Sequence, residues 1–104
     1  MIYNLVTTVF IPGKTAEALE IFNKELMPLF PRFGQKLVGS FHAYTGDMNE
    51  VYQLFAYDDL AARQKVREAY LKDKDYQKVN AKMAALTVSQ TMNLLEPNAW
   101  SPMK

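Results

Sequence analysis

KLVGSFHAYTGDMNEVYQLFAYDD, residues 36–59, reads as a β-hairpin. Two runs rich in Val, Phe, Tyr and Leu flank Gly46-Asp47-Met48-Asn49, where Gly and Asn tolerate positive φ and Asp bonds its own backbone. An even-numbered loop that pairs Thr45 with Glu50 sets Tyr44 opposite Val51, His42 opposite Gln53 and Ser40 opposite Phe55, on one face with Val38 and Tyr57. The other face then carries Leu37, Gly39, Phe41, Ala43, Tyr52, Leu54 and Ala56. This second face is apolar, whereas the first mixes aromatic rings with His42 and Gln53.

Working outward from the hairpin, Ile2 to Ile11 has apolar side chains on both alternating sets: Tyr3, Leu5, Val9 and Ile11 on one, Ile2, Val6 and Phe10 on the other. That pattern predicts a strand covered on both faces. Pro12-Gly13 ends it. Thr15 is the expected N-cap of a helix with Ala18, Leu19, Phe22, Leu26 and Leu29 at helical spacing, its last turns kinked or closed by Pro28 and Pro31 and stopped at Gly34. After the hairpin, Asp58 or Asp59 caps a helix with Leu60, Ala61, Val66, Ala69 and Tyr70 inward and Arg63, Lys65, Arg67 and Glu68 solvated. A break near Lys72-Asp73-Lys74 precedes a short helix from Asp75 to Met83 and a last strand from Ala85 to Glu96, ended by Pro97. Trp100, in the tail, needs a surface to lie on.

The order is β-α-β-β-α-β, an α+β chain of the ferredoxin-like type, with a four-stranded antiparallel sheet and helices on one face. Bulky apolar residues on both faces of the first three strands require a cover for the second face. The expected cover is another copy of the same sheet, in a homodimer.

Bulk composition bounds the function classes. The 104 residues make one domain, 1–104, and 49% hydrophobic with 22% charged residues is the balance of a globular protein. A net charge of +1 gives no field for a nucleic acid or an acidic membrane surface. With no cysteine, disulfides, thiolate nucleophiles and zinc ribbons are excluded. No apolar run reaches the roughly 18 residues of a membrane span, and the N-terminal residues have neither a basic region nor a cleavage signal, so a cytoplasmic location without a transmembrane segment is expected.

Six short pieces in order, M-I-Y-x-L from Met1 to Leu5, P-G-K from Pro12 to Lys14, L-V-G from Leu37 to Gly39, G-D-x-N-E-V from Gly46 to Val51, A-Y-D from Ala56 to Asp58 and V-S-Q from Val88 to Gln90, resemble the NIPSNAP family over almost the whole chain. The resemblance implies the dimeric α+β barrel fold. It implies no agreed enzymatic activity, and eukaryotic members are linked to mitochondria and vesicle traffic. Phe55 and Gln53 stand where family members often carry Trp and His.

No catalytic motif is present. His42 is the only histidine, and with no cysteine and no carboxylate on its face it completes no metal sphere, so neither a metal nor a cofactor is expected. A hydrogen bond to Gln53 across the strands is its expected role. The candidate ligand-binding residues are His42, Gln53, Phe55 and Tyr57, with Gln90 as a further donor. They would form an apolar wall with few polar groups, suited to a neutral or weakly polar small molecule that leaves charged substrates without a partner. Lys74, Lys78 and Lys82 make a basic stripe read as a solvated helix face. The chain is therefore expected to be a homodimeric small-molecule-binding or interaction module. The alternative is a cofactor-free or haem-dependent monooxygenase of the same barrel type, by fold analogy.

Overall fold

The computed structural model describes all 104 residues, Met1–Lys104. Four strands, β1 (Ile2–Phe10), β2 (Lys36–His42), β3 (Glu50–Tyr57) and β4 (Thr87–Leu95), form one antiparallel sheet in the order β2-β3-β1-β4. β1 lies between β3 and β4, so both of its edges are hydrogen-bonded, and its β-branched and aromatic residues suit a central strand. Its even-numbered residues Asn4, Val6, Thr8 and Phe10 are buried beneath the helices, while Tyr3, Leu5, Thr7 and Val9 lie on the opposite face and are half-buried. The helices cover one face only, as expected of the ferredoxin-like arrangement.

The hairpin register differs from the expectation. The ladder runs Phe41↔Tyr52 and His42↔Val51, two residues out of step with the predicted His42–Gln53 pair, and Ser40 stands opposite Gln53. The physical reason is the length of the turn. Ala43 to Asn49 lies outside both strands, so the connection is a long loop rather than a four-residue turn. The turn chemistry itself is present: Gly46 has φ +86°, and Asp47 Oδ1 accepts from the Asn49 amide at 2.9 Å. A second departure is a bulge at Val38, between the Leu37↔Phe55 and Gly39↔Leu54 pairs. The extra residue turns Leu37 to the helix side, where it packs on the core, so Leu37 does not share the face of Gly39 and Phe41.

The chain from Thr15 to Phe33 is helical throughout but not uniform. α1 (Thr15–Ile21) passes into a π-turn at Phe22–Leu26, a 3-10 turn at Met27–Leu29 and a last α-turn, α2 (Phe30–Phe33). Neither Pro28 nor Pro31 has an amide hydrogen for the carbonyl four residues earlier, and the irregular turns flank the positions where those bonds are missing. α2 ends in a Schellman motif: Gly34 at φ +74°, with the Gln35 and Gly34 amides donating to the Phe30 and Pro31 carbonyls. Thr15 is not the cap. The cap position is Lys14, and the Thr15 hydroxyl donates instead to Asn49 Oδ1 at 3.1 Å, tying the helix to the hairpin loop.

α3 (Leu60–Lys72) is capped by Asp59, whose Oδ1 accepts from the Ala62 amide at 2.7 Å. Asp59→Ala should lower the free energy of unfolding by about 1 kcal/mol in urea titrations, the usual loss for an aspartate cap. The expected break follows α3, but what resumes is a full helix. α4 (Lys74–Leu86) spans 13 residues, because Asp73 caps it through the Tyr76 amide at 2.9 Å. Arg32 grips both Asp73 at 2.7 Å and Asp75 at 3.0 Å, which holds the Asp73 carboxyl below the usual range and fastens α2 to the start of α4. Lys74, Lys78 and Lys82 are exposed, and Lys82 pairs with Glu25 at 2.7 Å.

The core lies where α2 meets the sheet. Phe30 stands edge-on to both Phe22 and Phe55, each at 5.7 Å, with Val6, Phe33, Tyr57 and Val66 around them.

Candidate functional site

Between the sheet and the helices is a cavity of about 350 Å³, within the range of small-molecule sites. Its floor is made by the even residues of β1 and by Val51, Gln53, Phe55 and Tyr57 of β3, which the antiparallel ladder places on one face. Phe22, Leu26, Phe30 and Phe33 close one side. Arg63, Arg67 and Tyr70 of α3 and Tyr76, Asn80 and Met83 of α4 line it from above. Of its lining residues, Asn80, Ala84, Gln90 and Met92 are exposed, which places the mouth between α4 and β4.

Of the residues singled out from the sequence, Gln53, Phe55, Tyr57 and Gln90 all line this cavity. His42 does not: it sits exposed at the end of β2, opposite Val51. The two-residue slip in register carries it past the floor of the cavity and removes the expected bond to Gln53. Gln90 instead donates from Nε2 to the Thr8 hydroxyl at 3.1 Å, and Tyr57 donates to Gln35 Oε1 at 2.8 Å.

The floor is polar at its centre. Asn4, Thr8 and Gln53 are buried, with Asn4 5% and Gln53 6% exposed, and Asn4 Oδ1 and Gln53 Oε1 have no hydrogen-bond partner. A buried acceptor left unpaired costs about 1–3 kcal/mol, so two in one cavity mark a place where the fold gives up stability. Asn4 and Thr8 are the residues that sequence reasoning passed over. Their signal was their parity with Val6 and Phe10, which sets polar groups on the buried side of a central strand.

Charge is the second correction. Arg63 and Arg67, expected to be solvated, are half-buried and line the cavity together with Tyr70, beside the buried Val66 of the same helix face, whereas Leu60, Ala61 and Ala69 are exposed. Anionic ligands therefore do have partners here. The remaining ionisable groups in the lining are Tyr57, Tyr70 and Tyr76. Burial pushes the Tyr57 phenol up, and that of Tyr76 up to about 12, with Tyr70 adding to the latter and Arg67 opposing. Tyr70 and Tyr76 lie 4.5 Å apart with their rings tilted by 42°, and both make edge-to-face contacts with Phe33.

The sign of the Tyr76 shift gives a pH dependence. The unfolded chain loses this proton near pH 10 and the folded protein near 12, so between them the unfolded state holds fewer protons and stability falls as pH rises. Below pH 10 the contribution is complete. Urea midpoints at pH 8, 10 and 11 should show the decline, and Tyr76→Phe should flatten it.

The NIPSNAP family model matches residues 3–102. The chain belongs to the NIPSNAP family. A NIPSNAP domain protein from Burkholderia xenovorans is 26% identical, covers 98% of this chain and 99% of its own, and superposes with a TM-score of 0.91. A NIPSNAP family protein of unknown function from Agrobacterium tumefaciens, 22% identical over 100% of this chain and 94% of its own, superposes at 0.93. More distant is a putative antibiotic biosynthesis monooxygenase from Nitrosomonas europaea, 11% identical over 93% of this chain and 98% of its own, at 0.72, a likeness that shows the shared fold alone. No curated protein matches. No helix of this NIPSNAP chain is long and apolar enough to cross a membrane.

Proposed function

We propose that this NIPSNAP protein is a homodimeric small-molecule-binding module of the cytoplasm, with its ligand held in the cavity between sheet and helices. The observation that carries this reading is the pair of buried, unpartnered oxygens of Asn4 and Gln53 on the floor of a cavity walled by phenylalanines. A site with an apolar body and a few convergent polar groups orients a ligand by those groups, and a ligand hydroxyl or N–H would supply the missing donors. The lining offers arginines and tyrosines, with no carboxylate or imidazole to act as a base near pH 7, which favours binding over proton abstraction.

Two bicyclic probes, 2-naphthol and 2-naphthoate, test the site by calorimetry. At least one should bind, and Ala84→Phe, which projects a ring from the mouth of the cavity, should abolish binding without loss of folding. His42→Ala should leave binding unchanged and move stability by no more than about 0.5 kcal/mol. Absence of binding by both probes, or binding indifferent to Ala84→Phe, overturns the reading.

The homodimer is proposed from the sheet's other face. Leu5, Tyr52 and Leu54 lie there with Phe41, which is 59% exposed. The C-terminal tail is tied beside this face by a bond from the Tyr3 hydroxyl to the Lys104 carbonyl, and Trp100 in that tail is 82% exposed. Apolar surface of this kind fits the sheet of a second copy.

A further inference from the structure

Every group in the cavity lining that is charged at neutral pH has the same sign. Arg63 and Arg67 stand one helical turn apart on α3, half-buried, and neither takes part in any of the protein's ion pairs. No Asp or Glu lines the cavity. The acidic groups of the same helix are engaged elsewhere: Asp59 accepts from the Ala62 amide as the cap, and Glu68 accepts from Gln64 at 3.2 Å. Both arginines line the cavity alongside Tyr57, Tyr70 and Tyr76, and each opposes the rise of a phenol, Arg63 that of Tyr57 and Arg67 that of Tyr76. A guanidinium partly removed from water and left without an anion is held at a cost that an anionic ligand relieves, and its planar fork matches a carboxylate.

Resting on the binding reading above, we infer that the cavity's ligand is a ring-sized apolar carboxylate. Its carboxylate meets Arg63 and Arg67, and a hydroxyl or N–H elsewhere on the ring meets the unpaired oxygens of Asn4 and Gln53. A carboxylate suits the cavity better than a phosphate, because 16 of the 25 lining residues are hydrophobic and leave few donors for the further oxygens of a dianion. The cations also set an order of preference among neutral, anionic and cationic molecules of equal size, which the apolar walls by themselves would not give.

Three probes separate the contributions: 2-naphthol, 2-naphthoate and 6-hydroxy-2-naphthoate, titrated into the full chain by calorimetry. Naphthoate should bind about 10- to 100-fold more tightly than naphthol, the size of a charge-assisted hydrogen-bonded contact, and the hydroxynaphthoate more tightly again. The Arg63→Gln, Arg67→Gln double variant should remove most of the preference for naphthoate over naphthol. Should that variant fail to fold, the wild-type protein still decides the matter, since added salt should weaken naphthoate and spare naphthol. Equal affinities for the two in the wild type, or naphthoate binding indifferent to salt, overturn the carboxylate assignment but leave the pocket standing. Failure of both naphthol and naphthoate to bind overturns the pocket and the assignment together.

Discussion

Phe30→Ala should lower the free energy of unfolding by about 3–5 kcal/mol, a large share of the 5–15 kcal/mol of an ordinary domain. Phe30 joins two layers. It opens α2, after the two proline-linked irregular turns, and its ring meets Phe22 of the helical layer and Phe55 of the sheet edge-on at 5.7 Å each. Truncation removes both aromatic contacts and the burial of the ring. It also enlarges a cavity that already exists, and surroundings that border open volume have little to collapse against, so the upper part of the range is expected. Phe30→Leu keeps part of the packing and should lose less. Urea unfolding with unchanged slope is the measurement; a loss below about 1 kcal/mol for the alanine variant would mean that another contact holds helix to sheet.

The strands and helices were legible because their patterns are strong: two-sided apolar alternation in Ile2–Phe10, helical spacing from Ala18 to Leu29, Gly34 as a stop and Asp59 as a cap. The hairpin register was not, since Gly46 and Asp47 announce a turn without fixing how many residues join it, and nothing in Leu37-Val38-Gly39 distinguishes a bulge from a regular strand. That one uncertainty displaced His42 from the site. A residue near a strand end follows the loop length, whereas Gln53, Phe55 and Tyr57, on a strand paired along its length with β1, kept their side. The arginines were hidden for another reason. Long cationic side chains lay their stems along apolar surface, so Arg63 and Arg67 can occupy the inward stripe of α3 beside Val66 and Tyr70 while reading as solvent-facing by composition. Asn4 was passed over among the apolar residues of its strand, although, opposite Phe55 on the buried face, it gives the cavity floor its polarity together with Thr8 and Gln53.

The pair Leu5↔Leu54 stands at the middle of the β1–β3 ladder on the face without helices, and it carries the second large effect. The molecule measures 40 × 35 × 19 Å, the shape of a two-layer slab, and its sheet has one face outside, the face on which the proposed dimer would pack. Light scattering at micromolar concentration should give twice the 11.9 kDa chain mass, with about 2,000 Å² or more buried, as in obligate dimers. The Leu5→Glu, Leu54→Glu double variant should run as a monomer, because two-fold symmetry brings each new carboxylate into an interface that already holds its copy, and paired like charges removed from water cannot both remain ionised. In the isolated protomer the same positions face solvent, so the variant should keep its circular dichroism while losing the concentration dependence of its melting temperature. A wild-type monomeric mass with stability unaffected by dilution would reject the dimer, and a double variant that stays dimeric would place the interface on a different face of the slab.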